Sequence, residues 1–520
     1  MKKTILLSFL ITFILGWSAC TDDNSSMGHG LIDEITVEGI EGSINVASYQ
    51  GVNLKDLIKP TVTTSVPEEQ LTYAWYLYDN DNDEGSYKDH LITSGKNIDY
   101  EVNLPSGTYT LIFEITDTQT GYAKIVEMTI LTTTSFSKGF YILKETPDGN
   151  TDLDMVGDNE MLKNLISGIS GSSLQGKPYN LSFLYSGAYI DPESNDMTYG
   201  NLLYAISDKG QIKGYRTEDM FEIFNNDNLF YGGTMPATEQ PGTLALGMIG
   251  NFYFSNTGVR FYQSPIYGSN TGKFGYPVGA GASKFIQLSL ATYGFIYWSN
   301  EVHGLMLVDG NGIGATPVEP AENVPTFPDD LICIASSMSV TAGSIGWFLC
   351  EQPSTGDRYL LKINLANSQN INDVIKIDPA SHLARSTVQS GNGYTASYIY
   401  CIDNGKAYAY SLVDGTEHDI PLPGIPANET VSYISNQWLY LGSSIGTEYN
   451  FDNLIVGTQN GDTYKLYFYQ ENELNGGMPI KAATKTATGT GKVKTIRYVT
   501  PLVVSSMDLA SELNPFPLSD

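Results

Sequence analysis

Residues 398–412, YIYCIDNGKAYAYSL, hold the pattern that decides the fold of this chain. Apolar and aromatic residues dominate both sides of Asn404-Gly405, and in KAYAYSL they alternate with small or polar ones. Alternation with a period of two is typical of a half-buried strand, and an Asn-Gly pair between two such runs favours a tight hairpin. The stretch therefore predicts two antiparallel strands joined at Gly405.

The same unit recurs through most of the chain, as a strand, a polar turn that reaches a glycine, and a second aromatic-rich strand. Its glycines are spaced roughly 50 residues apart, which is typical of one four-stranded propeller blade per repeat. Turns such as Asn404-Gly405 and Asn460-Gly461 require a positive φ, which glycine accepts. The other repeats are LLYAISDKGQIKGY with Gly210, FYFSNTGVRFY with Gly258, IYWSNEVHGLMLV with Gly304, WFLCEQPSTGDRYLLKI with Gly356 and LIVGTQNGDTYKLYFY, which contains Gly461.

Two further stretches suggest how the repeats form a ring. The hairpin FYILKETPDGNTDLDMV, with Gly149, precedes the first repeat and brings the expected number of blades to seven, although six or eight remain open. Residues 493–505, VKTIRYVTPLVVS, are expected to supply a strand that closes the ring against the first blade. We predict a β-propeller over residues 135–520.

The region before the repeats, residues 31–134, predicts a different β domain. Its short runs ITVEG, SINVASY, LTYAWYLYD, YTLIFEITD and AKIVEMTI are separated by turn residues, a spacing typical of a β-sandwich. Trp75 lies where a core tryptophan is expected. Residues 107–121, GTYTLIFEITDTQTG, resemble the late strands of a polycystic-kidney-disease-type (PKD) domain, including the turn at Asp117. The fold class is therefore all-β, an immunoglobulin/PKD-like sandwich followed by a propeller.

The N-terminus has the layout of an export signal. Residues 1–19, MKKTILLSFLITFILGWSA, combine two lysines, an apolar run too short to span a bilayer and small residues before Cys20. This arrangement resembles the lipobox of bacterial lipoproteins, in which the cysteine is acylated, although Trp17 replaces the usual aliphatic residue. The alternative is an ordinary cleaved signal followed by a chance cysteine. In the lipobox interpretation, residues 20–30 are a lipidated cysteine followed by a flexible tether.

Location follows from the same segment and from the charge. Residues 21–23, TDD, resemble the signal that sends Bacteroidetes-like lipoproteins to the outer face of the outer membrane. The formal net charge of −29 disfavours binding to nucleic acid or to anionic lipid headgroups. We therefore expect an anchor made by lipid alone and a cell-surface location.

Three cysteines remain after Cys20, in apolar or aromatic surroundings: Cys333, Cys350 and Cys401. An odd number without a spacing motif favours buried free thiols, although one pair could form a disulfide.

Catalytic motifs are scarce. The five histidines, His29, His90, His303, His382 and His418, do not form a zinc-binding motif. GSSIG, residues 442–446, matches G-x-S-x-G but lacks a following helix, and SGISGSSL, residues 167–174, does not fit the motif. Carboxylate pairs across a propeller funnel remain possible, since their spacing is spatial. We predict no catalytic residues, no cofactor and a protein that is not an enzyme.

Three weaker candidates concern binding. Asp79, Asp81 and Asp83 in DNDNDEG alternate as in a calcium loop, but the run departs from the EF-hand pattern, so an exposed acidic loop is the main alternative to a calcium site. Trp298 and Trp438 could form aromatic platforms for a ligand, although inter-blade core is the favoured role. Residues 481–497, KAATKTATGTGKVKTIR, are basic in an acidic protein and indicate either a solvated hairpin or a docking patch for an acidic partner.

A sandwich followed by GFYILKE and a degenerate propeller, behind a lipobox, resembles the PKD-like-family lipoproteins of Bacteroidetes. The resemblance implies an accessory to a SusC-like TonB-dependent transporter and its SusD-like lipoprotein, which import oligosaccharides or peptides; the family favours peptide. The expected function is capture or presentation of that substrate. The alternatives are a surface propeller glycosidase or lyase, and a stand-alone glycan-binding lipoprotein.

Overall fold

The structure is a computed structural model that describes residues 34–40, 42–48, 52–79, 86–102, 104, 107–158, 161–192, 195–247, 249–263, 271–289, 292–339, 344–366, 370–391, 396–439 and 450–501. Contacts divide the chain into two compact units: the first extends to Leu104 and from Thr108 to Thr132, and the second includes all residues from Thr133 onward. The sequence-based boundary falls after residue 134. Within the described ranges, no helix has the length and apolarity needed to cross a membrane.

The first unit is a small β-sandwich. Its five-stranded sheet has the order β2-β7-β6-β4-β5, and β1 pairs with β3 in a second, two-stranded sheet. Its elements are β1 (Thr36–Glu38), β2 (Ser43–Ala47), α1 (Leu54–Leu57), β3 (Thr61–Thr63), a 3₁₀ turn (Glu68–Gln70), β4 (Leu71–Asp79), a second 3₁₀ turn (Tyr87–Asp89), β5 (Leu91–Ser94), β6 (Gly107–Asp117) and β7 (Ala123–Thr133).

Trp75 forms the centre of the sandwich core, as the sequence predicts. It is fully buried, its ring stacks on Phe113 at 4.1 Å, and its indole N–H donates to the Gly95 carbonyl at 3.1 Å. The predicted turn at Asp117 is also present, because its carboxylate accepts hydrogen bonds from the Gln119 N–H and the Thr120 hydroxyl.

The described residues of the second unit form seven antiparallel sheets of three or four strands, which we number as blades in chain order, and one separate two-stranded hairpin. Its elements in the first four blades are β8 (Gly139–Glu145), β9 (Thr151–Val156), β10 (Met161–Leu162) and α2 (Leu165–Ser170) in blade 1; β11 (Pro178–Ile190), β12 (Met197–Ser207), β13 (Ile212–Arg216) and β14 (Glu222–Asn225) in blade 2; β15 (Pro241–Leu246), β16 (Gly250–Ser255) and β17 (Gly258–Gln263) in blade 3; β18 (Ile286–Ser289), β19 (Gly294–Ser299), β20 (Gly304–Val308) and β21 (Ala315–Pro317) in blade 4.

The remaining elements complete blades 5 to 7 and return to blade 1. They are β22 (Ile332–Ser339), β23 (Ile345–Glu351), β24 (Arg358–Asn364) and β25 (Asp373–Lys376) in blade 5; α3 (His382–Arg385), then β26 (Val388–Ser390), β27 (Tyr398–Asp403), β28 (Lys406–Ser411) and β29 (Glu417–Asp419) in blade 6; β30 (Thr430–Leu439), β31 (Phe451–Asn460), β32 (Thr463–Tyr469), a 3₁₀ turn (Glu471–Glu473), the hairpin β33 (Leu474–Asn475) and β34 (Met478–Pro479), and β35 (Lys485–Thr490) in blade 7; and finally β36 (Lys492–Val499).

The last strand completes the first blade. β36 pairs antiparallel with β8, from Lys492 opposite Glu145 to Val499 opposite Gly139, so blade 1 has the order β10-β9-β8-β36. This confirms the predicted ring closure, with seven blades.

The inner strands β36, β11, β15, β18, β22, β26 and β30 lie around the axis. Inner strands of neighbouring blades lie side by side in six pairs, those of blades 1 and 2, 2 and 3, 4 and 5, 5 and 6, 6 and 7, and 7 and 1.

The core of the propeller lies between the blades. Seven buried clusters join blades 1–2, 2–3, 3–4, 4–5, 5–6, 6–7 and 7–1, so that each blade is covered on both faces. This explains why aromatic residues are found on both alternating faces of the repeats.

The repeat glycines occupy one equivalent hairpin in all seven blades, between the second strand from the axis and the third. Asn404 and Gly405 both have positive φ, of 51° and 72°, as the tight turn requires. At the Asn460-Gly461 turn, the glycine has φ of 58°. Gly304 differs from the prediction: the positive φ, 49°, belongs to His303 instead.

Blade 1 contains an ion pair that is almost completely buried. The Lys144 ammonium lies 2.6 Å from Asp154 Oδ1, with both side chains at most 1% exposed. Asp154 also accepts from the Asn164 N–H at 2.8 Å and from the Tyr464 hydroxyl of blade 7 at 2.5 Å. The pair thus links the first and last blades.

The basic segment 481–497 is not a solvated hairpin. It forms β35 and β36, and Lys485 donates to the Gly157 carbonyl at 2.8 Å while burial lowers the pKa of its ammonium. Arg497 is 9% exposed and donates to the Leu181 carbonyl at 3.0 Å. The segment therefore lies where blade 7 joins blade 1.

Cys333, Cys350 and Cys401 are buried and free, although Cys333 and Cys350 lie directly opposite each other on β22 and β23. Burial raises the pKa of the Cys401 thiol to about 12, and that of Cys350 is raised as well. Since the thiolate is the reactive form, the Cys350 and Cys401 thiols are poorly reactive.

Candidate ligand-binding site at the propeller axis

The inner strands share an irregularity near their first residues. In five of them, one extra residue interrupts the register with the neighbouring strand. A bulge of this kind leaves the extra residue unpaired and re-aims its side chain. The extra residues are Lys494 in blade 1, Tyr179 in blade 2, Gly242 in blade 3, Ile334 in blade 5 and Ser432 in blade 7.

Blade 4 has the same feature just before β18. The backbone N–H of Ser283 donates to the Trp298 carbonyl at 2.9 Å, and the Trp298 N–H donates to the Phe285 carbonyl at 3.0 Å. Ser283 and Phe285 thus both pair with Trp298, and Lys284 lies between them as the extra residue. In blade 6, the described pairing of β26 is regular.

We call Tyr179, Gly242, Lys284, Ile334, Ser432 and Lys494 the bulge ring. All inner strands begin on the side of the propeller that carries the glycine hairpins, so the ring surrounds that end of the axis. Its side chains are more open than their neighbours: Lys494 is exposed, and Tyr179, Ile334 and Ser432 are half-buried beside buried or less open residues. These side chains are thus partly open, while Tyr179 and Ile334 also pack against the clusters between blades.

One contact locates the ring at the axis. The ammonium of Lys284 in blade 4 lies 3.4 Å from the carbonyl oxygen of Tyr179 in blade 2 and 5.4 Å from the centre of its ring. Blades 2 and 4 are not neighbours, so this side chain passes the start of blade 3. The bulge residue there is Gly242, where a Cβ would come within 3.1 Å of the Ser283 carbonyl group. A side chain at residue 242 would therefore press on the backbone next to Lys284.

The charge of this region differs from that of the whole protein. None of the seven inner strands, all of which are described, contains aspartate or glutamate, and their charged residues are Lys492, Lys494 and Arg497. In contrast, the protein as a whole has a formal charge of −29. Lys494 forms no ion pair with any described residue. The strands that line the axis are therefore basic in an acidic molecule.

Deeper along the axis, buried polar side chains connect adjacent blades. The Ser182 and Thr243 hydroxyls lie 3.0 Å apart between blades 2 and 3, and the Gln287 amide donates to Ser336 between blades 4 and 5 at 3.3 Å. Several buried side-chain oxygens on the inner strands have no hydrogen-bond partner in the described part of the chain, among them those of Asn180, Gln287, Gln437 and Thr495. Such atoms can accept N–H or O–H donors.

A second polar cluster surrounds α3, between blades 5 and 6. His382 Nδ1 lies 2.8 Å from Asp403 Oδ2, and its ring stacks on Tyr408 at 3.5 Å. The Glu417 carboxylate accepts from the backbone N–H groups of His382 and Leu383, both at 2.8 Å. Hydrogen bonding to His382 and the Arg385 guanidinium lower the pKa of Asp403.

This cluster resembles a histidine–carboxylate dyad, but its neighbours hold the helix in place. Ser381 Oγ accepts from the Ala384 N–H at 3.1 Å and caps the helix. Ser386 is bonded to the Arg358 guanidinium, which also donates to the Leu383 carbonyl. Ser381 and Ser386, the serines nearest His382 in sequence, thus both have structural partners. These contacts stabilise the connection between blades 5 and 6.

The structure places the two candidate tryptophans in buried positions. Trp298 is fully buried between blades 4 and 5, and Trp438 is 3% exposed near the end of β30. Their proposed role in ligand binding stays a prediction. Asp79 ends β4, whereas Asp81, Asp83, Cys20 and the GSSIG segment lie outside the described residues. Among the described residues, no group of three or more His, Cys, Asp or Glu side chains is arranged to hold a metal ion.

Sequence reasoning missed the bulge ring. A bulge depends on the register between two strands, and the pattern of one strand does not reveal it. The available signal was the residue type: a lysine, tyrosine or serine next to the apolar start of an inner strand.

The chain is similar to known proteins in two ways. Residues 20–178 match the PKD-like family, a range that includes the sandwich and blade 1 up to the start of β11. No curated protein sequence matches the chain.

Solved structures with similar architecture include a quinonprotein alcohol dehydrogenase-like protein from Bacteroides thetaiotaomicron, at 11% identity and TM-score 0.38, over 88% of this chain and 97% of that one. A Bacteroides thetaiotaomicron protein of unknown function matches at 10% identity and TM-score 0.30, over 81% and 94% of the two chains. The designed protein Ika8 matches at 11% identity and TM-score 0.34, over 70% and 97%. Similarities at this level carry no information about activity.

Proposed function

We propose that this chain is a surface-exposed outer-membrane lipoprotein, anchored through Cys20, that acts without catalysis as an accessory subunit of a SusC/SusD-like TonB-dependent importer. In this role the propeller captures or presents a peptide, or an oligosaccharide, for import. Partner proteins are the SusC-like transporter and the SusD-like lipoprotein.

The observation that carries the proposal is the bulge ring. It brings lysine, tyrosine, serine and aliphatic side chains to one end of the axis, which is a set suited to binding. Sites for small ligands typically combine apolar surface with a few convergent polar groups.

The same observation bears on the glycosidase alternative. Glycoside hydrolysis generally uses two carboxylates that flank the scissile bond. The inner strands contain none, so loops or outer strands would have to supply such a pair. Binding therefore requires fewer assumptions than hydrolysis at this site.

The anchor and the importer rest on the sequence. The lipobox-like segment, the acidic residues after Cys20 and the resemblance to PKD-like lipoproteins support them, and the match to the PKD-like family includes Cys20.

Affinity purification of the tagged full-length protein from detergent-solubilised outer membranes tests the proposal. Stoichiometric copurification of a transporter and a SusD-like protein is expected, as identified by mass spectrometry. Recovery of the lipoprotein alone, at low salt in mild detergent, would contradict the accessory role and favour a stand-alone binder.

A Cys20→Ser variant provides the control for anchoring. It removes the acylated atom, so we expect the protein in the soluble fraction and loss of protease accessibility at the cell surface. Unchanged membrane retention would contradict the lipid anchor. Hydrolysis of an oligosaccharide panel by the purified protein would instead favour the glycosidase.

A further inference from the structure

We infer that the bulge ring is a carboxylate-binding site, and that the ligand enters the axis with a carboxylate group first. This inference rests on the proposed function and specifies the chemistry of the ligand. The carboxylate belongs either to the C-terminus of a peptide or to a uronic-acid sugar.

The first step is the placement of the two ring lysines. β36 lies beside β11, and Arg497 donates to the Leu181 carbonyl, so Lys494, three residues earlier, is near the level where β11 begins. Lys284 reaches the same level, since its ammonium contacts the carbonyl of Tyr179. Lysines of blades 1 and 4 thus both lie at the level where β11 begins.

The second step is the charge environment. A carboxylate near the ring would meet no acidic side chain on any inner strand. The nearest acidic residue by strand register is Glu145, opposite Lys492 and 3.8 Å from Lys177. An acidic protein surface repels anions at long range. The two ring lysines can therefore select for a ligand whose carboxylate reaches them directly, because charge-assisted hydrogen bonds act only at short range.

The third step concerns the rest of the ligand. Tyr179 and Ile334 supply partly open aromatic and aliphatic surface beside the lysines. Beyond them, the buried oxygens of Asn180 and Thr495 can accept hydrogen bonds. Peptide N–H groups and sugar hydroxyls are both suitable donors, so the shared chemistry is the carboxylate.

Isothermal titration calorimetry on the full-length protein in detergent tests the inference with two matched pairs of probes. One pair is N-acetyl-tetra-alanine with a free carboxylate and the same peptide as its C-terminal amide. The other pair is trigalacturonate and its uncharged methyl ester, with every carboxylate esterified. We expect the acid of one pair to bind at least tenfold more tightly than its neutral counterpart, and that pair identifies the source of the carboxylate.

Substitutions locate the binding. Lys284→Gln and Lys494→Gln should each weaken binding of that acid about tenfold, the effect of losing one charge-assisted hydrogen bond. Lys481→Gln is the control, because Lys481 is exposed on the loop before β35 and should leave binding unchanged. Thermal unfolding shows whether each variant folds. If a variant does not, the wild-type affinity should still fall as salt concentration rises.

Equal affinity for acid and neutral probes, no binding of either acid at millimolar concentration, or wild-type affinity in folded Lys284→Gln and Lys494→Gln would overturn the inference. Copurification of these two variants with the transporter is a separate readout. If both variants still copurify with the transporter while the titrations fail, the carboxylate site is contradicted and the proposed accessory role is not.

Discussion

At the scale of single residues, the most consequential charges are those that the fold buries. Burial of an ion pair costs solvation, which is offset only if each charge keeps its partner. Lys144 and Asp154 satisfy this condition through Asn164 and Tyr464. The sequence pattern did not single them out, because both occur in an alternating strand where charged residues usually face solvent.

Asp154→Leu should destabilise the protein by about 3–5 kcal/mol, since it leaves the Lys144 ammonium buried without a counter-charge. The double variant Lys144→Met/Asp154→Leu should recover much of that loss, because no charge remains buried. Chemical denaturation monitored by fluorescence measures both. A double variant no more stable than the single one would contradict the role given to the ion pair.

Asp403 makes the stability depend on pH. Its pKa in the folded protein is lowered from 3.8 by the hydrogen bond with His382 and by Arg385. A lowered pKa means that its stabilising contribution is fully present above pH 3.8 and is lost as the pH falls through the folded-state value. Asp403→Asn should therefore reduce the dependence of the melting temperature on pH below 3.8. Asp419→Asn, an exposed carboxylate nearby, is the matched substitution; an equal effect of both would contradict the assignment.

At the scale of elements, the hairpins could be predicted and the bulges could not. The glycines after Asn404 and Asn460 carry local information, since a tight turn restricts φ at its own residues. The bulge at Tyr179 arises from pairing with β12, which no local pattern encodes. Trp298 illustrates the same limit: its sequence context does not distinguish an inter-blade core position from an exposed aromatic platform.

The hairpin of blade 6 should be more sensitive to substitution than that of blade 4. Gly405 has φ of 72°, and a Cβ there would lie 2.5 Å from the Thr430 methyl group. Gly304 has no positive φ, and a Cβ there would meet only the Val302 carbonyl oxygen, at an ordinary contact distance of 3.7 Å. Gly405→Ala should cost about 1–2 kcal/mol, the penalty for a left-handed non-glycine residue. Gly304→Ala should cost clearly less in the same denaturation experiment. Equal losses would show that both glycines have the same role.

At the scale of the whole molecule, the ring is stabilised by seven equivalent interfaces. The period of the repeats and a strand-like run in residues 493–505 were sufficient to predict this architecture, because the repeat extends over the whole unit and the run follows the last repeat. The ligand site was not predictable in the same way, since it depends on which residues meet at the axis.

The interface between blades 7 and 1 should be as important as any other. Ile496 on β36 is fully buried there. Ile496→Ala should destabilise the protein by about 2–5 kcal/mol, through lost burial and the cavity left behind. Ile313→Ala, at a residue that is 76% exposed in blade 4, should change stability little. Similar effects of both variants on the denaturation midpoint would contradict the role of β36 in closure.

The pairing of β36 with β8 also sets the order of events during synthesis. A ribosome delivers the chain from the N-terminus, so among the described elements the strand next to the axis in blade 1 is the last to emerge. Until then, β8 has an unpaired edge, and exposed edges of this kind promote association between chains. The gap of more than three hundred residues between the two partners therefore keeps this edge open to other chains until β36 has emerged as well.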